Sequence, residues 1–89
     1  MYIRYLGNIH NLSNFYSYLR SNDTLKGAGA DTCINLMKHD GNHISLLFKT
    51  KSARDFILNE IWKEIEKESK CYDIDAVIEA VYAQDKYNL

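Results

Sequence analysis

His39-Asp40-Gly41-Asn42-His43 is where possible metal ligands crowd most closely in this 89-residue chain. Two imidazoles and a carboxylate around one turn are sound Zn²⁺ ligands. Three ligands on a hairpin tip, however, lack the outer hydrogen bonds that orient metal-bound histidines. The segment reads as a polar turn, and no metal is expected. Lys26-Gly27-Ala28-Gly29-Ala30-Asp31 has the glycines of a phosphate cradle. A cradle needs glycine-freed N–H groups opening a helix, whereas these follow an expected helix and lead into a strand, so the segment reads as a connector. Cys33 and Cys71 lie far apart with no CxxC spacing, and neither has a nameable base or oxyanion donor. They read as free thiols of a reducing compartment, neither a disulfide nor a nucleophile. Asp73 and Asp75 stand at a helix start, where caps favour acids. No pattern points to catalysis or to a cofactor, and the chain is read as a non-enzyme.

Charge is uneven along the chain. Met1 to Ala53 carry six bases against three acids, +3, and Arg54 onward five bases against nine acids, −4, which together make the net −1. Such a separation steers charged partners. The basic cluster Lys38, His39, His43, Lys49, Lys51 and Arg54 raises the question of nucleic acid. RNA-binding split βαβ domains stack bases on aromatic residues of their middle strands. The corresponding positions hold Asn35, Met37, Ser45 and Leu47, and the pI is about 6.3, so nucleic acid is not expected.

The elements that would position these residues follow from length and periodicity. Eighty-nine residues make one domain. At 46% hydrophobic and 26% charged residues, the chain has an ordinary globular balance. No stretch approaches the ~20 apolar residues of a membrane span, and the start lacks a signal peptide, so a cytoplasmic protein is expected. Tyr2 to Leu6 reads as a strand bounded by Gly7-Asn8. Asn11 or Ser13 then caps an expected helix with Leu12, Phe15, Tyr16 and Leu19 at i, i+3, i+4, i+7, ending near Arg20-Ser21-Asn22-Asp23.

Thr32 to Lys38 and Asn42 to Thr50 form a hairpin. A two-residue Asp40-Gly41 turn would set Ile34 and Leu36 against Leu47 and Ser45, mixing apolar and polar side chains on both faces. A three-residue loop with left-handed Gly41 pairs Ile34 with Leu46 and Leu36 with Ile44 instead, and this register is preferred. The opposite face then carries Cys33, Asn35, Met37, His43, Ser45 and Leu47.

Ser52 and Asp55 suggest a capping box for a helix from Ala53 to about Lys70, burying Phe56, Ile57, Ile61 and Ile65, with Leu58 and Trp62 extending the stripe. Glu64–Lys67 and Glu66–Lys70 pairs would support it. After Cys71-Tyr72, the positions Ile74, Val77, Ile78, Val81 and Tyr82 predict a last helix; a strand over Ala76 to Ala83 is the alternative.

The sum is an α+β, split β-α-β-β-α domain. Its three-stranded sheet has helices on one face and a C-terminal helix, or a ferredoxin-like closure if the tail is a strand. A right-handed crossover would set the first strand parallel to the second, with the third between them. Seven tyrosines, among them Tyr2, Tyr16, Tyr18, Tyr72 and Tyr87, exceed what a small core holds. Tyrosine favours interfaces, and a half-apolar sheet face tends to be covered. The functional expectation is a protein-interaction module, an inhibitor or adaptor such as a phage or mobile-element antagonist of a host protein, and a homodimer. It would bind through Met37, His43 and Leu47 on the sheet and Tyr72, Asp73, Asp75 and Glu79 toward the C-terminus. The alternative is a small-ligand or nucleotide-binding regulatory domain, its site at a dimer interface lined by tyrosines with Lys26 or Arg20.

Overall fold

The structure, a computed structural model, describes residues 1–20 and 32–87, with the side chains of 19, 20 and 85–87 left aside. The expected connector, Lys26 and the expected first-helix end at Ser21-Asn22-Asp23 lie outside the described residues. The chain is an α+β domain with a C-terminal helix. Its strands are β1 (Tyr2–Tyr5), β2 (Asn8–Asn11), β3 (Phe15–Arg20), β4 (Cys33–Lys38), β5 (His43–Leu47) and β6 (Cys71–Asp73). Its helices are α1 (Lys51–Glu66) and α2 (Ile74–Tyr87). Two three-stranded sheets result, β2-β1-β6 and β3-β4-β5.

The largest departure from the sequence reading is β3. Asn11 caps only a single 3-10 turn, Leu12–Asn14, by accepting from the Ser13 N–H, and the expected helix is a strand. The reason is a bulge: the pairing with β4 shifts between Phe15 and Ser17, leaving Tyr16 as an extra residue. One extra residue converts strand spacing into i, i+3 on one face. Phe15 and Tyr18 therefore both reach the core while Tyr16 is exposed, an imitation of helical periodicity by an aromatic, strand-favouring segment.

Without that helix there is no crossover, and β1 does not join the β4–β5 sheet. It turns back at Leu6-Gly7 to pair antiparallel with β2, and it takes β6 as a parallel neighbour. Leu6 (φ 49°) and Gly7 (φ 78°) are both left-handed, as the commonest two-residue hairpin turn requires. For leucine this conformation costs on the order of 1 kcal/mol.

The β4–β5 hairpin has the expected register, with Ile34 opposite Leu46, Leu36 opposite Ile44, and Gly41 at φ 90°. Ile34, Leu36 and Leu46 are fully buried and face α1, where Ile57 and Ile61 join the same cluster. Each such side chain contributes roughly 1.5–3 kcal/mol by leaving water.

Helix α1 departs from the expectation at both ends and in rotation. Its cap is Thr50 rather than Ser52: the Thr50 hydroxyl accepts from the Ala53 N–H at 3.1 Å and shares a 3.2 Å hydrogen bond with the Ser52 hydroxyl. It stops at Glu66 because Glu68 turns left-handed (φ 58°), so that the Ser69 N–H reaches the Glu64 carbonyl and the Glu68 N–H the Ile65 carbonyl. The Glu64–Lys67 pair forms at 3.7 Å, but Lys70 lies beyond the helix. The buried stripe is Ala53, Arg54, Ile57 and Ile61; Phe56 and Trp62 flank it and stay exposed. Arg54 is thereby withdrawn from the basic surface and is ion-paired to Asp55 at 2.9 Å.

Helix α2 occupies the tail, and the strand alternative there is excluded. Asp73 accepts from the Ala76 N–H at 3.1 Å, the expected cap.

Candidate partner-binding surfaces

The β1–β2 turn, the end of β5 and the start of α2 are tied together by polar contacts around residues of the sequence-derived set. Asp75 accepts from the Leu6 N–H at 2.7 Å and the Gly7 N–H at 2.9 Å, and the Arg4 guanidinium lies 3.7 Å away. The Gly7 bond, then that of Leu6 and the Arg4 charge, hold the Asp75 carboxyl below its ordinary 3.8. Asp73 pairs with Arg4 at 3.2 Å. Both acids are thus spent on fixing the hairpin that carries Leu6.

The Tyr5 hydroxyl bridges the two sheets. It accepts from the Leu47 N–H at 2.7 Å and lies 2.9 Å from the Leu47 carbonyl, to which it donates. Burial outweighs these bonds and raises its pKa. Beside it, the Tyr82 hydroxyl accepts from the Lys49 N–H, and the Lys49 ammonium sits 4.9 Å from the centre of the Tyr82 ring. A hollow of about 370 Å³ opens there, with Leu6, Leu47, Ile78 and Tyr82 in its lining.

The outer face of β2-β1-β6 is the second surface. Tyr2 and Arg4 point away from the core because Ile3 points into it, and their cross-strand neighbours Ile9, Cys71 and Asp73 share that side. Tyr2 is 51% and Ile9 71% exposed, and the Cys71 thiol is exposed. A nearly wholly apolar hollow of about 450 Å³ lies among them.

The sequence-derived residues do not form one site. Leu47 is 54% exposed, His43 exposed and Met37 half-buried, all on the outer face of β4–β5. That face is more closed than expected: Cys33 and Asn35 are buried, and Asn35 accepts from the Ser45 hydroxyl at 2.7 Å. Tyr72 lies opposite Ile3, half-buried, with a hydroxyl that has no hydrogen-bond partner among the described residues. Glu79 stands exposed on α2, apart from the sheet group.

At the hairpin tip the His39 ring lies against Tyr16, 5.4 Å between centres, and Asp40 binds the Asn42 N–H at 2.9 Å. Among the described residues no three His, Cys, Asp or Glu side chains gather as a metal site. Of Arg20 only the backbone is described. No described helix is long and apolar enough to cross a membrane.

Leu6 and Ile9 were not singled out by the sequence as a surface, and Tyr2 only as one of the tyrosines in excess of a small core. The one signal was Gly7-Asn8 bounding the first strand, a residue later than the Leu6-Gly7 turn; Asn8-Ile9-His10-Asn11 has too few strand-favouring residues to announce β2. Neither a protein-family model, nor a curated protein, nor a solved structure matches the chain.

Proposed function

We propose that this protein is a non-enzymatic interaction module that binds another protein through the outer face of β2-β1-β6, as an inhibitor or adaptor. The observation that carries the reading is the pair of exposed residues Tyr2 and Ile9 around an apolar hollow. A soft aromatic rim with an open apolar centre is how interface anchors are received. Arg4, paired with Asp73 at the same face, supplies polar orientation and little energy, since exposed pairs contribute about 0–1 kcal/mol.

The test is affinity capture from the source cells with the wild type and with Ile9→Glu, followed by reconstitution with the purified captured protein. A partner retained by the wild type and bound at least roughly tenfold more weakly by Ile9→Glu supports the reading, a loss of about 1.4 kcal/mol. Equal binding by both overturns it. A hollow of this size also falls within the roughly 300–1,000 Å³ of small-ligand sites, which carries the second reading, a ligand-binding regulatory domain. A nucleotide that raises the melting temperature in proportion to its concentration over Kd would move the function there.

A further inference from the structure

We infer that two copies of this chain associate by pairing their β5 strands antiparallel across a two-fold axis through Ile44. The β4–β5 ladder shows which backbone groups are free to do so. The Phe48 N–H reaches the Thr32 carbonyl, and the Lys38 N–H reaches the Asn42 carbonyl. Antiparallel pairs alternate, so the Ile34–Leu46 and Leu36–Ile44 pairs also bond inward, while His43, Ser45 and Leu47 turn their N–H and C=O outward. At Leu47 those groups are already taken by the Tyr5 hydroxyl. β5 is the end strand of its sheet, and among the described residues nothing bonds the outward groups of His43 and Ser45.

The open edge is therefore three residues long, and its length selects both the partner and the register. Centred on Ile44, His43 of one copy faces Ser45 of the other, and each such pair exchanges two N–H···O bonds. All outward groups are then used, joining the sheets as β3-β4-β5 continued by its own image. A centre on Ser45 would demand the Leu47 groups that Tyr5 holds, and a centre on His43 would demand the Gly41 turn. A two-fold arrangement is self-complementary without any further fitting.

Charge agrees with this register. Phe48 falls opposite Asp40, so the Asp40 carboxylate at the hairpin tip of each copy comes near the exposed Lys49 of the other. An edge this short buries less than a standard interface, so the dimer is expected to dissociate on dilution.

Sedimentation equilibrium of the full chain, from about 1 μM to about 1 mM, provides the test, as that span covers weak affinities. The wild type should pass from monomer to dimer. His43→Pro removes an outward N–H at the first residue of a strand, where proline is tolerated, and should remain monomeric with an unchanged circular dichroism spectrum. Lys49→Glu should weaken the dimer roughly tenfold, and adding Asp40→Lys should restore it, since complementary charges set such pairing. The charge pair decides the matter if His43→Pro does not fold. A wild type monomeric throughout, a dimer indifferent to His43→Pro and to both charge variants, or a dimer lost only in Ile9→Glu would each overturn the inference.

Discussion

Replacing Tyr72 with phenylalanine should make the protein more stable. Tyr72 stands on β6 opposite Ile3, and its hydroxyl is buried without a hydrogen-bond partner among the described residues. A buried polar group left in that condition costs about 1–3 kcal/mol, and the ring, which supplies the packing, is kept in phenylalanine. Because Tyr72 is only half-buried as a whole, the low end applies, a gain of about 1 kcal/mol. In a domain of this size that raises Tm by about 4–8 °C.

A pH dependence accompanies it. Burial first, then the Glu60 and Glu64 carboxylates, push the Tyr72 phenol from 10.0 up to about 12. The folded state therefore keeps its proton at a pH where the unfolded chain has lost it. Stability attached to this group is intact below about pH 10 and drains away as pH climbs toward about 12. Thermal unfolding followed by circular dichroism, for wild type and Tyr72→Phe across that range, tests both parts. The variant should melt higher near neutrality and lose less with alkali, with some loss remaining from Tyr5 and Tyr18, whose pKa values burial also raises. A lower Tm near neutrality would refute the first part, since it would mean that the hydroxyl is bonded, and an unchanged alkaline slope would refute the second.

Further outcomes follow from the same contacts. Leu36→Asp should abolish folding, because Leu36 is fully buried and the charge would be unpaired, whereas Leu47→Glu should fold; circular dichroism separates the two. Tyr5→Phe should cost about 1–2 kcal/mol in urea unfolding, as it deletes both bonds to Leu47. Glu68→Gly should add roughly 0.5–1 kcal/mol by relieving the left-handed backbone at the end of α1, read as a higher urea midpoint. Asp75, held below 3.8, lends stability above that pH that is lost as acid protonates it, so Asp75→Asn should lower stability near neutrality and flatten the acid limb below about pH 4.

The hairpin and the last helix were legible because their patterns are local. A one-residue slip would have set Ile34 and Leu36 beside Leu47 and Ser45 and turned Leu46 to the other face, which left a single acceptable register. In α2 the apolar residues recur at helical spacing with alanine and glutamate between them. The bulge at Tyr16 defeated the same method, since an inserted residue turns a two-residue repeat into a three-residue one. The β2-β1-β6 sheet escaped for a different reason. Its β6 is three residues long and pairs with β1 from the far end of the chain, a contact that no neighbouring residues encode.

The candidate surface inherits that difficulty. Met37, His43 and Leu47 could be placed on one face because the hairpin fixed it. Tyr2, Ile9 and Cys71 became neighbours only through β6. Asp73 and Asp75 were legible as acids at a helix start, yet their engagement with Arg4 and the Leu6–Gly7 turn depends on the same long-range pairing.

Alkylation of the two cysteines tests the proposed surface most directly, because Cys71 lies exposed within it and Cys33 is buried and serves as the internal control. The rate at which a maleimide labels each thiol would be followed by mass spectrometry, in extract of the source cells and in the purified protein at matched concentration. The account predicts slow labelling of Cys71 in extract, fast labelling once purified, fast labelling in extract for Ile9→Glu, and slow labelling of Cys33 throughout. Equal Cys71 rates in extract and in the purified protein would contradict it.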